Sequence, residues 1–203
     1  MQKSVNEHYE IWGADLEMPL IEDCGFNGWN IAEKLSWHSH EGFELIWLID
    51  GQAAFEFTDG TRCELTSGEF FFKLPRQSHR AANGVTTPCK MCWIIFDPNV
   101  DNACRNTIFT PEDLDYLALR YREDERKVFT SPAPLRPLIE NFAKAAINLH
   151  SQYLDGNTPL RENHSGLQGK SNAFSGAKAP QVALLRSYIC QILLETAQQA
   201  MAG

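Results

Sequence analysis

Between residues 15 and 97, short apolar runs follow one another at near-regular spacing, each closed by a turn signal. The signals are Gly25 and Gly28, Asp50-Gly51, Asp59-Gly60, Ser67-Gly68 and Asn83-Gly84. Such a train predicts many short antiparallel strands, and therefore a sandwich or a barrel. Candidate strands cover 18–22, 29–38, 43–49, 52–58, 62–66, 70–74, 79–82 and 90–96. Asp59-Gly60, set between Phe57 and Cys63, is a strong two-residue hairpin signal. Residues 43–49 are apolar on both faces. That strand needs cover on both sides, from the opposite sheet and from a helix or a partner.

After Asp97-Pro98 the period changes from two to about 3.6. Thr110-Pro111-Glu112-Asp113 reads as a helix start, with a hydroxyl cap, a proline at the first position and acids in the first turn. This helix runs to about Arg122, with Leu114, Leu117 and Tyr121 as its stripe. A second helix is predicted over 135–154, and a third from about Pro180. Residues 155–180, rich in Gly, Ser and Asn, read as a long flexible connection. On the third helix, Val182, Leu185, Ile189 and Ile192 form a stripe that Leu184, Tyr188 and Leu193 broaden. One reading docks it on helix two. The other makes those four residues a homodimer interface. The expected organisation is an arm at 1–14, a β-barrel at 15–98 and a helical dimerisation region at 99–203.

Composition narrows the class. With 203 residues and 43% hydrophobic content, the chain can bury a substantial core. A net charge of −8 argues against this piece gripping a nucleic-acid backbone or an anionic membrane surface. No run approaches the roughly 20 apolar residues of a membrane helix, and the N-terminus lacks an apolar signal segment. Six cysteines at scattered positions fit a reduced, cytoplasmic setting. Cys89 and Cys92 have CxxC spacing without a second pair, and read as core or surface thiols.

The chemistry concentrates in His38, His40, Glu44 and His79. Two histidines two apart on a strand share a face. A carboxylate just downstream and a third histidine from a later strand can meet them inside a barrel. Three imidazoles and one carboxylate suit Zn, Fe, Ni, Cu or Mn. The same four side chains can equally line a polar pocket without a metal, bonded to each other or to a ligand.

These residues carry a resemblance. His38-x-His40, then Glu44, then Gly51 resembles the first cupin motif. Gly68, Pro75, His79 and Asn83 resemble the second, one residue shorter between the proline and the histidine and lacking its internal glycine. With the N-terminal arm and the C-terminal helices, residues 15–200 look like the sensor half of AraC-type transcription regulators. The resemblance implies a mainly β fold: a cupin-like double-stranded β-helix barrel, or jelly roll, followed by α-helices. It implies a binding module, not an enzyme, that takes a small effector such as a sugar inside the barrel. It further implies a homodimer through the helices, and DNA binding through a helix-turn-helix domain that these 203 residues do not contain. Any cofactor would be a divalent transition metal, Zn, Fe, Ni or Mn, on His38, His40, Glu44 and His79.

Those four residues, with the aromatic residues Trp37, Trp93, Phe55, Phe57 and Phe72, form the expected effector site. Aromatic faces suit sugar rings, and ordinary core packing is the competing role for each of them. If Glu44 points inward, Ile46 and Leu48 share its face and Trp47 points out. Tyr9, Trp12 and Asp15 of the arm are candidates for a lid. Arg76 and Arg80 are candidates for meeting an acidic effector. His8, His150 and His164 read as surface residues. The alternative function is a stand-alone cupin metalloenzyme: a dioxygenase, isomerase or lyase.

Overall fold

The computed structural model describes residues 6–123, 127–153 and 179–199. Among the described residues, eight strands and three α-helices run in the order β1 (Glu7–Trp12), β2 (Ile21–Trp29), β3 (Phe43–Phe57), β4 (Arg62–Thr66), β5 (Glu69–Lys73), β6 (His79–Ala81), β7 (Cys89–Phe96), α1 (Pro111–Glu123), β8 (Phe129–Thr130), α2 (Leu135–Tyr153) and α3 (Ala179–Gln199). The strands pair in the order β1-β2-β7-β3-β5-β8, and β4 and β6 also pair with β3. All ladders are antiparallel. The fold is a mainly β jelly-roll barrel followed by helices, as the resemblance implied and within the sandwich-or-barrel choice that the strand pattern left.

β3 organises the barrel. Its first half lies between β7 and β5, and its second half pairs with β4 and β6. The sequence predicted two strands separated at Asp50-Gly51; the chain instead forms one strand of 15 residues. The register against β7 shifts between Leu48 and Asp50, and Gly51 takes φ +90. A bulge with a left-handed glycine bends the strand from one sheet to the other without ending the ladder. The expected strand at 29–38 is also replaced. β2 ends at Trp29, and the segment that follows touches the barrel through isolated bridges at Lys34–Val85 and His38–His79.

Alternation along β3 separates two apolar clusters. Phe43, Leu45 and Trp47 join a cluster shared with the helices, whereas Ile46 and Leu48 join the barrel interior. Trp47 stacks on Phe70 at 5.0 Å on the helical side. Phe70 and Phe72 of β5 point the same way, and Phe72 packs against Tyr121 of α1 with ring centroids 4.1 Å apart.

α1 begins as its sequence dictates. Thr110 Oγ1 accepts from the Asp113 N–H at 3.2 Å, and Asp113 Oδ2 accepts from the Thr110 N–H at 2.8 Å. Leu114, Leu117 and Tyr121 are its buried stripe. The four residues assigned to a dimer interface are spent inside the chain. Val182, Leu185, Ile189 and Ile192 are all buried in the cluster that α3 shares with α1, α2 and the sheet. Helical periodicity marked a covered face, and here the covering partner is intramolecular. The connection expected from 155 lies outside the described residues up to 178, as does His164.

Within the expected N-terminal arm, Glu7–Trp12 is a sheet strand. β1 pairs with β2 from Glu7–Gly28 to Trp12–Asp23. Gly25 allows this crowding: a Cβ there would lie 2.0 Å from the Tyr9 carbonyl oxygen and 2.7 Å from the Trp93 ring. No described helix is long and apolar enough to cross a membrane.

Candidate functional site

The backbone bridge between residues 38 and 79 assembles the site. The His38 N–H donates to the His79 carbonyl at 3.0 Å, and the His79 N–H returns the bond at 2.9 Å. This lays the two imidazoles against each other with centroids 4.2 Å apart. The Arg76 N–H donates to the His40 carbonyl at 2.7 Å and pins the other end of the loop. His40 then lies 5.2 Å from His38 and 5.6 Å from His79, centroid to centroid. One donor atom from each ring falls within 4.8 Å of the others.

Glu44 enters from β3 and Lys73 from the facing position of β5. Lys73 Nζ donates to Glu44 Oε2 at 2.8 Å, and both side chains are buried. The same oxygen lies 3.2 Å from His79 Nε2 and 3.4 Å from His40 Nε2. His79 Nε2 is buried, with that carboxylate oxygen as its neighbour and no hydrogen bond of ordinary geometry. Lys73 also lies over the Phe55 ring, 4.3 Å from its centroid. Motif spacing alone missed Lys73. It follows three phenylalanines, and strand alternation puts it on the inward face with Phe71.

Charge in the cluster is balanced. Burial raises the Glu44 carboxyl, but Lys73 and the imidazoles of His40 and His79 outweigh it and hold the group well below the usual carboxylate range. Burial lowers Lys73, and Glu44 opposes that shift. Burial, His79 and Lys73 push His38 down to about 3. Burial and Lys73 also lower His79, against the pull of Glu44. The cluster therefore contains one cation, one anion and, at His38 and His79, neutral imidazoles.

A second group stands beside it. Asp23 of β2 is buried and accepts the indole N–H of Trp93. Burial and the nearby Glu10 raise its carboxyl well above the ordinary value. His8 of β1 stacks on Trp93 with centroids 5.5 Å apart, and its Nδ1 lies 2.6 Å from Asn27 Oδ1. Neither Asp23 nor His8 was legible as a site residue, because β1–β2–β7 pairing brings them together from distant segments. His8 is not the surface residue expected, and neither is His150, which is buried with its ring edge-on to Tyr9 at 5.4 Å. Tyr9 packs on the helical side. It is therefore not part of a lid over the pocket.

A cavity of about 70 Å³ lies over the cluster, walled among others by His8, Asp23, Phe55, Met91 and Trp93. Trp29, Leu35, Phe55 and Met91 also line an adjoining apolar hollow of about 370 Å³. A wider, more open hollow of about 750 Å³, bordered by Glu17, Glu22, Glu41 and Arg105, contains none of these histidines. The first two share Trp29, Leu35, Phe55 and Met91 and together suit a small ligand.

The remaining expected site residues are dispersed. Phe57 stands behind His79 at 6.2 Å, inside the barrel. Phe72 faces the helices, because it alternates with Phe71, and has no access to the cavity. Trp37 is 42% exposed, with the Arg80 guanidinium 4.6 Å from its ring centroid, outside the pocket. Arg80 also pairs with Glu56, and Arg76 with Glu41 at 2.9 Å, so both arginines are engaged away from the cavity. Cys89 and Cys92 fall on opposite faces of β7, one in each apolar cluster. Burial pushes the Cys89 thiol up to about 11, so neither geometry nor acidity favours a shared metal.

The barrel has a counterpart among known families. The family model described as a cupin domain matches residues 30–95. The match covers β3 to β7 and leaves β1, β2 and the helices of this chain outside it. No curated protein matches the chain. Solved structures resemble it distantly. A candidate mannose-6-phosphate isomerase from Ralstonia eutropha JMP134 is 12% identical, covering 48% of this chain and 89% of its own, with TM-score 0.38. The EutQ protein of Clostridium difficile is 16% identical over 48% of this chain and 72% of its own, with TM-score 0.35. A cupin superfamily protein from Desulfitobacterium hafniense DCB-2 is 16% identical over 47% and 83%, with TM-score 0.34.

The donor set of the matched segment fits a divalent transition metal. The Nδ1 atoms of His38 and His79 lie 2.8 Å from the Ser36 carbonyl and 2.9 Å from the Gln77 carbonyl. A carbonyl accepts only, so each Nδ1 carries the proton and each Nε2 keeps its lone pair. His79 Nε2, buried and without a hydrogen bond, is the polar atom that such an ion would satisfy.

Proposed function

We propose that this chain is the effector-sensing portion of an AraC-type transcription regulator, a cytoplasmic binding module and not an enzyme. One observation carries the reading. β1 presents His8 to the ligand cavity and, at the next residue, Tyr9 to His150 of α2. Opposite faces of one edge strand thus touch the cavity and the helical layer. A ligand that moves His8 and Trp93 changes what α2 packs against, and a sensor needs such a coupling between two sites. For the population to shift, the ligand must bind one arrangement of β1 more tightly than the other.

The aromatic and apolar walls, set with polar groups such as His8, Asp23 and Asn27, suit a small metabolite that is polar in part; a sugar is one such class. DNA contact would belong to a separate helix-turn-helix domain. A homodimer would have to use residues other than Val182, Leu185, Ile189 and Ile192, since those are buried within one chain.

The test is a thermal-shift screen against sugars, organic acids and amino acids. The full-length gene product would then be assayed for DNA binding with and without the hit. A hit that raises the melting temperature, changes DNA affinity and loses that effect in His8→Ala supports the reading. A ligand that is instead converted to product supports the second reading, a cupin metalloenzyme, which the lone-pair-bearing Nε2 atoms of His38 and His79 favour.

A further inference from the structure

Glu44 and Lys73 face each other across adjacent strands, so the β3–β5 ladder itself sets their separation. The ammonium donates to Glu44 Oε2 at 2.8 Å and otherwise meets the faces of Phe55 and Phe71. Among the described residues, Glu44 is the one carboxylate in contact with it. A buried ammonium needs its counter-charge in contact, because apolar surroundings cannot replace it. Were Glu44 to swing onto a bound dication, Lys73 would be left as a second, uncompensated cation in the same low-dielectric space. The imidazoles face no such conflict. Each Nδ1 of His38 and His79 is fixed on a backbone carbonyl, so each Nε2 carries the lone pair that ligates.

We infer that a divalent transition metal in this barrel is held by His38, His40 and His79 without Glu44, and that Lys73 is the positioning residue that keeps Glu44 out of the coordination sphere. Three neutral ligands leave the ion its full charge and open positions. Such a centre suits a small oxygen-donor ligand, a carboxylate or a vicinal diol or keto acid, entering through the apolar hollow. The same ligand set would serve a sensor or a catalyst.

The experiment is calorimetric titration of the metal-free protein with Zn(II) and Co(II), with the visible spectrum of the Co(II) form as a readout of the ligand set. Wild type is expected to bind one equivalent. His79→Ala is expected to weaken binding at least about 100-fold, since even outer-shell losses cost 10- to 100-fold. Glu44→Gln with Lys73→Met, which removes both charges, should bind within about threefold of wild type with an unchanged Co(II) spectrum, because neither residue ligates. Lys73→Met alone should bind about tenfold tighter with an altered spectrum, because Glu44 is released to the ion. The inference fails if wild type takes up no metal, if the double variant binds more than about tenfold more weakly, or if Lys73→Met leaves the spectrum unchanged. Should Lys73→Met not fold, the double variant, with no charge left unpaired, still decides whether Glu44 ligates, and Lys73→Gln, which keeps a neutral donor beside Glu44, takes over the spectral test of the positioning role.

Discussion

On β3, Phe43, Leu45 and Trp47 point towards the helices, while Glu44, Ile46 and Leu48 point into the barrel. The outer face is continuous apolar packing, in which Phe43, Phe72 and Phe96 surround the Tyr121 ring. Its one polar atom at that junction, the Tyr121 hydroxyl, is bonded to Thr196 Oγ1 at 2.7 Å. The inner face buries a lysine, a glutamate and two histidines within hydrogen-bond or ion-pair reach of one carboxylate oxygen. The outer face gains stability with every side chain it covers, about 1.5–3 kcal/mol for each large apolar group. The inner face gains little net energy from its ion pair and is specified by mutual dependence, since either partner alone is costly. Stability is thus concentrated on the side facing the helices, and chemistry on the side facing the cavity.

The largest test of this contrast is Leu185→Asp. A charge placed in the covered stripe of α3 should destabilise the chain by about 4 kcal/mol or more in denaturant titration. Had that stripe been a dimer face, the same change would leave a folded monomer. Next is Glu44→Ala, which strands Lys73 and should cost about 3–5 kcal/mol. Glu44→Gln combined with Lys73→Met should recover most of that loss. If the single and double variants are equally stable, the two residues are not coupled and the inner face is ordinary core.

Acid should act on the inner face first. His38 and His79 are lowered on folding, so the unfolded chain takes up protons that the native imidazoles refuse. Their contribution is complete above about pH 6.5 and falls away as pH drops toward the folded value near 3 for His38. Glu44, also lowered, adds a further loss below its ordinary value of 4.5. Melting temperatures of metal-free protein should therefore decline from pH 6.5 to 3, and His38→Gln should flatten the upper part of that slope.

The smallest expected effect has the opposite sign. The Asp23 carboxyl is raised, so it supports the fold most below 3.8 and subtracts from stability as pH rises. Asp23→Asn keeps an acceptor for the Trp93 indole without a charge. It should stabilise the protein at neutral pH by on the order of 1 kcal/mol. A loss instead would mean that the ionised carboxylate has a partner there.

Much of this was legible in residue order. The two-residue period of 43–49 placed Glu44 and Ile46 on one face and Trp47 on the other, because strand side chains alternate regardless of context. The cap at Thr110 and the stripe Leu114–Leu117–Tyr121 are local features, and local geometry delivered them. The pattern also selected the four residues of the cluster, since polar side chains set among apolar strands must find one another or a ligand.

Other features had no local signal. Nothing near Lys73 reveals that its neighbour is Glu44, because the cross-strand register that joins them depends on the whole β3–β5 ladder. His8 and Asp23 meet Trp93 through pairings that span most of the barrel. The stripe on α3 specified that a face is covered but not by what; packing against α1, α2 and the sheet decided it. Phe72 was drawn to the wrong side because an aromatic residue suits both faces, and only the register of β5 assigns it to the helices. Sequence alone determined the train of short strands, the helical layer and the identity of the chemical groups, since these follow from period and residue type. Tertiary structure alone decided which of those groups are paired, neutral or poised to ligate, because Coulomb and desolvation energies depend on distances that no short stretch of chain encodes.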